Sequence, residues 1–234
     1  MQRIIVQAGD TSAEAVALKK QYYNLRTRAF NACWGELLYP EGPDEYDKKA
    51  ETTYVLYRED GQVITGLRLL FHRPGSEEKT WCEIKHPDFD LRELLPHLDV
   101  NALAYAELSG LVVDPGQQRS GKKLGTQALA GMLELVNTGA IKNGDVPIDV
   151  IVLSASKTGL TPMLRALATV PMAGIVRTDK IIREEDQRFQ TDLWPILLSP
   201  KPGFQFLPPE LTDKGVGVPI ERFQEPERGT ARGG

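Results

Sequence analysis

The chain has 234 residues, 41% of them hydrophobic and 26% charged, with a formal net charge of −4. That length and composition suit one globular domain with a sizeable core, with or without a tail, and the mild acidity argues against nucleic acid or an anionic membrane as partner. No run reaches the ~18 apolar residues of a spanning helix, and MQRIIVQAGD lacks the basic region and apolar run of a secretory leader. Two cysteines, Cys33 and Cys82, make neither a metal spacing nor a disulfide framework. The expectation is a cytoplasmic protein with both as core thiols and no metal.

Residues 3–7 (RIIVQ) predict a short strand. Asp10, Thr11 and Ser12 offer caps for a helix over residues 12–32, with Val16, Leu18, Tyr22, Tyr23, Leu25, Ala29 and Phe30 as its apolar stripe. Arg26, Phe30 and Trp34 follow at intervals of four and share one face. They read either as a core stripe with one snorkelling arginine or as the wall of a site. Residues 37–47 contain Pro40, Gly42 and Pro43 and form a loop, with Glu41, Asp44, Glu45 and Asp47 around Tyr46. On composition alone this loop is solvated.

Residues 52–57 (TTYVLY) predict a strand, Asp60-Gly61 a hairpin turn, and residues 63–72 its partner strand. Arg68 sits in the middle of that apolar partner. It either faces solvent or is buried and needs an anion, from the acidic loop or from a substrate carboxylate. Residues 91–95 predict a short helix after Asp90. His72, His86 and His97 make no ligand pattern and read as ordinary surface or packed histidines.

Residues 105–113 predict a buried strand, ended by Asp114-Pro115-Gly116. The loop SGKKLGT, residues 120–126, then opens a helix over residues 127–136. A glycine-rich loop feeding a helix N-terminus gathers free N–H groups and the positive dipole end, which suits a phosphate. Arg119, Lys122 and Lys123 add positive charge there. After a polar turn region over 137–146, residues 148–154 (IDVIVLS) predict a central parallel strand. Residues 158–168 predict a helix whose start is marked by Thr161-Pro162, and residues 173–178 and 189–198 two further strands. Prolines and glycines accumulate from residue 199 and the last residues are polar. A domain over 1–198 with an irregular or flexible extension over 199–234 is expected. The element order defines an α/β protein with a mixed sheet and helices on both faces.

The strand, loop and helix over 106–129 resemble the acyl-CoA-binding core of the GNAT superfamily of N-acyltransferases. That family's loop runs Gln/Arg-x-x-Gly-x-Gly/Ala, and its amides grip the pyrophosphate. The aligned run here is Ser120-Gly121-Lys122-Lys123-Leu124-Gly125. Ser120 takes the leading place, which Arg119 adjoins, and Lys123 takes the first glycine place. Gly125 matches, and Thr126 follows. The order Arg26, Phe30, Trp34, then Asp44-Glu45-Tyr46-Asp47, then Arg68, then Glu107-Leu108-Ser109 is similar to the acyl-homoserine-lactone synthases and to their relatives that make N-acyl amino acids. In those synthases an arginine follows Glu-x-Ser; here the residue is Gly110.

The resemblance implies a single-domain GNAT-like fold with a splayed central strand. It implies acyl transfer from acyl-CoA, acetyl-CoA or acyl-carrier protein to a small amine acceptor. Arg26, Phe30, Trp34, Asp44, Asp47 and Arg68 would line the acceptor side. Leu111, Val112, Val113 and the loop residues Arg119, Ser120, Gly121, Lys122, Lys123, Gly125 and Thr126 would hold the donor. Lys122 and Lys123 would also meet an acidic carrier protein. Either a monomer or a homodimer fits.

Thioester aminolysis needs a base for the acceptor amine. Glu107, the one acid in an apolar strand, is the candidate, with Ser109 beside it; the alternative is a structural glutamate paired with Arg68. Backbone N–H groups near 111–113 would meet the oxyanion, especially at a bulge. Val112 and Val113 would offer pantetheine a strand edge. No tyrosine is clearly placed to protonate the leaving thiolate, and Tyr105 stands early in the strand for that role. Lactone synthesis, simple acetyl transfer and a non-catalytic acyl-ligand module remain as alternatives. A nucleotide binder would need Gly-x-x-x-x-Gly-Lys-Ser/Thr, which is missing.

Overall fold

In the strand β2 (Thr52–Glu59), Val55 and Tyr57 point to one face and Tyr54 and Leu56 to the other, and both sets are buried. A strand covered on both faces must lie inside a sheet with helices above and below. It turns at Asp60 and Gly61, both at positive φ (50° and 79°), as an Asp-Gly hairpin turn requires, and returns as β3 (Gln62–His72). On the other side β2 pairs with β1 (Gln2–Gln7).

This computed structural model describes residues 1–34, 41–85, 89–95, 97–118, 121–142, 144–170, 172–176, 193–201, 204–206 and 218–219. Across the sheet, β3 is followed by β4 (Tyr105–Val113), β5 (Val150–Ser156), β7 (Leu193–Ser199), β6 (Ala173–Val176) and the two-residue β8 (Val218–Pro219), the eighth strand. Among the described residues only the β4–β5 pair is parallel.

Helix α1 (Ala13–Trp34) covers the face carrying Tyr54, Leu56 and Val112. The opposite face, with Val55, Leu67, Ala106 and Leu108, is covered by α4 (Leu124–Asn137) and α5 (Lys157–Leu167). Fully enclosed side chains such as Leu67 and Met132 each contribute about 1.5–3 kcal/mol by leaving water. Strand alternation puts Tyr105 and Val152 on the α1 side, where α2 (Trp81–Lys85) and α3 (Leu91–Leu94) pack.

Several boundaries differ from the sequence expectation. Helix α4 starts three residues early, at Leu124, so Gly125 and Thr126 lie in its first turn and not in the loop. Helix α5 starts at Lys157 because Ser156 caps it, accepting the Gly159 N–H, and Pro162 lies inside the helix. Helix α2 is unanticipated, yet Thr80-Trp81-Cys82-Glu83 is a capping box. Thr80 Oγ1 accepts the Glu83 N–H (3.3 Å) and Glu83 Oε2 accepts the Thr80 N–H (2.8 Å).

Strand β4 is splayed. It pairs with β5 only at Tyr105, Ala106 and Glu107, opposite Val150, Ile151 and Val152. Beyond Glu107, β4 runs on beside β3 alone, and β5 beside β7. The β3 register slips between Gly66 and Arg68, opposite Gly110, whose φ is +62°. That bulge bends β4 away from β5 and opens a wedge in the sheet. Past residue 198, β7 continues to Ser199, and Phe206 is buried with Phe204 against its ring. The rest of the expected extension, 207–217 and 220–234, lies outside the described residues, as do 177–192 and His86.

Candidate active site

The acidic loop does not face solvent. Asp44 accepts the N–H groups of Tyr46 (2.9 Å) and Asp47 (3.0 Å), winding a short 3-10 turn, Tyr46–Lys48. The turn aims Asp47 inward, where its carboxylate is fully enclosed between Arg26 of α1 and Arg68 of β3. Arg26 Nη2 lies 2.7 Å from Asp47 Oδ2, and Arg26 Nη1 lies 3.4 Å from Asp44 Oδ2. Arg68 Nη1 donates to Asp44 Oδ1 (2.6 Å) and Asp47 Oδ1 (2.8 Å). Two cations and two anions cancel, which is what makes burying the arginines tolerable.

Aromatic rings complete the cluster. Arg26 lies over Tyr22 (5.6 Å) and Tyr23 (5.5 Å), and Arg68 over Tyr46 (5.2 Å). Tyr54, paired across the strands with Arg68, donates to Asp47 Oδ1 at 3.0 Å. Burial, reinforced by Tyr23 and Asp47, raises the Tyr54 phenol far above its ordinary value, so it stays a neutral donor. Burial alone would raise Asp44 too, but the Arg68 hydrogen bond and the two guanidinium charges outweigh it and hold its carboxyl down at about 2.

Arg68 Nε donates to Ser109 Oγ (2.9 Å), which ties the cluster to β4. Two residues back on the same face stands Glu107, 3% exposed. It is not Arg68's partner. Its Oε2 accepts the N–H of Trp81 (3.1 Å), the first of α2, and lies 3.8 Å from His72 Nε2. Glu107 thus sits at the last paired position before β4 and β5 part.

On the wedge side, Tyr22 donates to the Gly110 carbonyl (2.7 Å). A Cβ at Gly110 would come within 2.3 Å of that hydroxyl. The chain therefore excludes a side chain where the synthase pattern carries an arginine. Val112 turns its carbonyl to Thr65 of β3 (2.7 Å). Alternation then points the backbone groups of Leu111 and Val113 into the wedge, and not those of Val112.

In the loop, Gly121 has φ +74° and Lys123, the N-cap of α4, has φ +49° and ψ +40°. Lysine thus adopts the left-handed conformation at the place of the family's glycine, at a cost on the order of 1 kcal/mol. Gly125 packs near Val113, Thr126 is half-buried, and Lys122 Nζ pairs with Glu59 (2.8 Å). Arg119 and Ser120 lie outside the described residues.

The structure thus gathers Arg26, Asp44, Asp47, Arg68 and Ser109 in one cluster, with Glu107 a step along the same face. Phe30 packs partly buried against the α1 core. Trp34 ends α1, and its side chain lies outside what is described. Tyr22, Tyr23, Tyr46, Tyr54 and His72 were not anticipated as site residues. The available signals were the Tyr22–Arg26 interval of four and the Tyr54–Arg68 cross-strand pairing. Among the described residues no group of three or more His, Cys, Asp or Glu could hold a metal, and no helix is long and apolar enough to cross a membrane.

The mixed sheet with its splayed β4–β5 pair, the hairpin before it and the helix after it form a GNAT-like fold, shared with solved acyltransferase structures. Among solved structures, MesI, a CoA-dependent acyl-homoserine lactone synthase, is 18% identical, with 86% of this chain and 90% of that one covered and a TM-score of 0.55. BjaI, a CoA-dependent acyl-homoserine lactone synthase solved with SAM and isopentyl-CoA, is 16% identical over 85% and 82%, with a TM-score of 0.54. An acyl-CoA N-acyltransferase from Pseudomonas aeruginosa is 16% identical over 84% and 99%, with a TM-score of 0.51. At such identities the likeness is one of fold. No family model matches the chain, and no curated protein matches it by sequence.

Proposed function

We propose that this protein is an N-acyltransferase that moves an acyl group from an acyl thioester to the amine of a small, amino-acid-like acceptor. One observation carries the reading: a buried carboxylate, Glu107, stands where β4 leaves β5, on the same face as the Arg26–Asp44–Asp47–Arg68 cluster. The thioester's pantetheine arm lies in the wedge against the backbone of Leu111 and Val113, as an added strand. One of those N–H groups meets the oxyanion. Gly121, Lys122, Lys123 and the first turn of α4 receive the donor's phosphates. Asp44, the more exposed of the two aspartates (17%), and Ser109 face the acceptor, with Arg68 toward its carboxylate. Asp47 works behind them, clamping both arginines.

Glu107 takes a proton from the acceptor ammonium, and the amine attacks the thioester carbonyl. The tetrahedral intermediate collapses by breaking the C–S bond, and the thiolate leaves protonated. CoA thioesters are the favoured donors, given the acyl-CoA enzymes among the structural neighbours. An acyl-carrier protein would dock on the loop lysines. Acyl-homoserine-lactone synthesis is a second reading, favoured by the neighbours MesI and BjaI and opposed by Gly110.

The test is thioester consumption over a series of acyl-CoA lengths against amino acids and SAM. Glu107→Gln is expected to lower kcat by ~10²–10⁴-fold with the unfolding midpoint unchanged. Equal rates in the two proteins would remove Glu107 as the base, and no thioester consumption by either would remove the enzymatic reading and leave an acyl-ligand module. Turnover with acetyl-CoA alone would exclude a long-chain product, and turnover of SAM would restore the lactone reading.

A further inference from the structure

Acyl transfer, as proposed above, has an unmet requirement: a way out for one proton. The acceptor nitrogen enters with three protons and ends as an amide with one. Of the two it loses, one leaves on the thiol and the other must reach solvent. Glu107, which receives it, is 3% exposed and sits under the first turn of α2.

His72 lies directly behind it. The ring ends β3 opposite Tyr105 of β4, and its side chain has no exposure. It stacks flat on the Tyr105 ring, with centroids 4.5 Å apart and planes 10° from parallel. Neither ring nitrogen has a hydrogen-bond partner among the described residues. Buried polar atoms left without partners are uncommon and call for a reason. Both nitrogens point at carboxylates: Nε2 lies 3.8 Å from Glu107 Oε2, and Nδ1 lies 3.9 Å from Glu78 Oε2. Glu78 is 46% exposed and pairs with Lys49 at the surface. The line from Glu107 through His72 to Glu78 therefore runs from the buried base to solvent.

We propose that His72 carries the released proton from Glu107 to Glu78. Both gaps exceed a hydrogen bond by under 1 Å, and the flat stack on Tyr105 lets the ring slide in its own plane to close either one. His72 then accepts the proton of Glu107 at Nε2 and releases the one on Nδ1 to Glu78, which returns it to water. No oxidant, metal or further reactant enters. The groups facing the ring are Glu107 and Tyr105 from β4 and Glu78, with Lys49 behind it. His72 touches no substrate and acts through Glu107, so it is a positioning residue.

The proposal rests on the acyl-transfer reading, and the test separates the two. Long-range nitrogen spectra of the histidine rings need no substrate, and His86 and His97 serve as internal references. In Glu107→Gln the Nε2 resonance of His72 is expected to move, and in Glu78→Gln its Nδ1 resonance, beyond the scatter of the reference rings. Resonances unmoved in both variants would overturn the relay whatever the enzyme does. In turnover, His72→Gln is expected to lower kcat by about 10-fold or more, with the acceptor KM within about twofold. Added imidazole buffer should restore part of that loss and leave wild type unaffected. An unchanged kcat, or a loss that imidazole does not relieve, overturns the proposal. Because Glu78 is half-exposed, Glu78→Gln keeps the fold and gives a second reading of kcat, expected to fall. If no thioester and acceptor pair turns over, the acyl-transfer reading fails, and the spectra alone decide whether Glu107, His72 and Glu78 form a connected line.

Discussion

Asp44 and Gly110 hold the two sides of the site. Held at about 2 against an ordinary 3.8, the Asp44 carboxyl favours the folded state wherever it is ionised. Its folded value is depressed, so its contribution is fully present above pH ~4 and is lost as pH falls toward ~2. Discounted for its partial exposure, the contribution is on the order of 1 kcal/mol. Urea titrations should find wild type more stable than Asp44→Asn at pH 7, with the difference shrinking as pH falls toward ~2. Gly110 is constrained twice, by its φ of +62° and by the Tyr22 hydroxyl 2.3 Å from where a Cβ would stand. Gly110→Ala should cost about 2–3 kcal/mol in thermal unfolding. The double variant with Tyr22→Phe should recover the part due to the hydroxyl but not the part due to φ. The same two constraints would oppose an arginine at this position.

Among the elements, α4 shows how packing reverses a local preference. Replacing a mid-helix glycine by alanine ordinarily stabilises by ~0.5–1 kcal/mol. Gly131 is an exception, since a Cβ there would lie 1.9 Å from the Tyr57 hydroxyl of β2. Gly131→Ala should therefore lower the melting temperature, and Gly131→Ala with Tyr57→Phe should raise it back toward wild type. The hairpin and α3 were read from the sequence because their signals are local, Asp60-Gly61 and Asp90 before Leu91; the Thr80–Glu83 box at the start of α2 is equally local but went unread. The start of α4 was not, because Lys123 adopts a left-handed cap that its residue type does not announce.

For the molecule as a whole, the proposed donor binding rests on the splay of β4 from β5. A non-hydrolysable acyl-CoA analogue should slow hydrogen exchange at the Leu111 and Val113 amides, which face the wedge. Val112, turned to Thr65, should be little changed. Equal protection at all three would mean that the ligand acts by tightening the sheet rather than by pairing with its edge.

The sequence by itself determined most of the longer elements and their order, though not α2, because periodicity, turn residues and caps act over a few neighbours. It left Arg68 with two readings, a solvent-facing arginine or a buried one that needs an anion, since an arginine amid buried apolar residues is too costly alone. Only the tertiary structure decided which anion. The acidic loop, solvated on composition, folds inward because Arg26 and Arg68, far apart in the chain, converge on Asp44 and Asp47. Tertiary structure also left Glu107 without Arg68 and set it between Trp81 and His72. The partner of a buried charge is fixed by strand register and by the face each strand presents, and neither is local to the residues concerned.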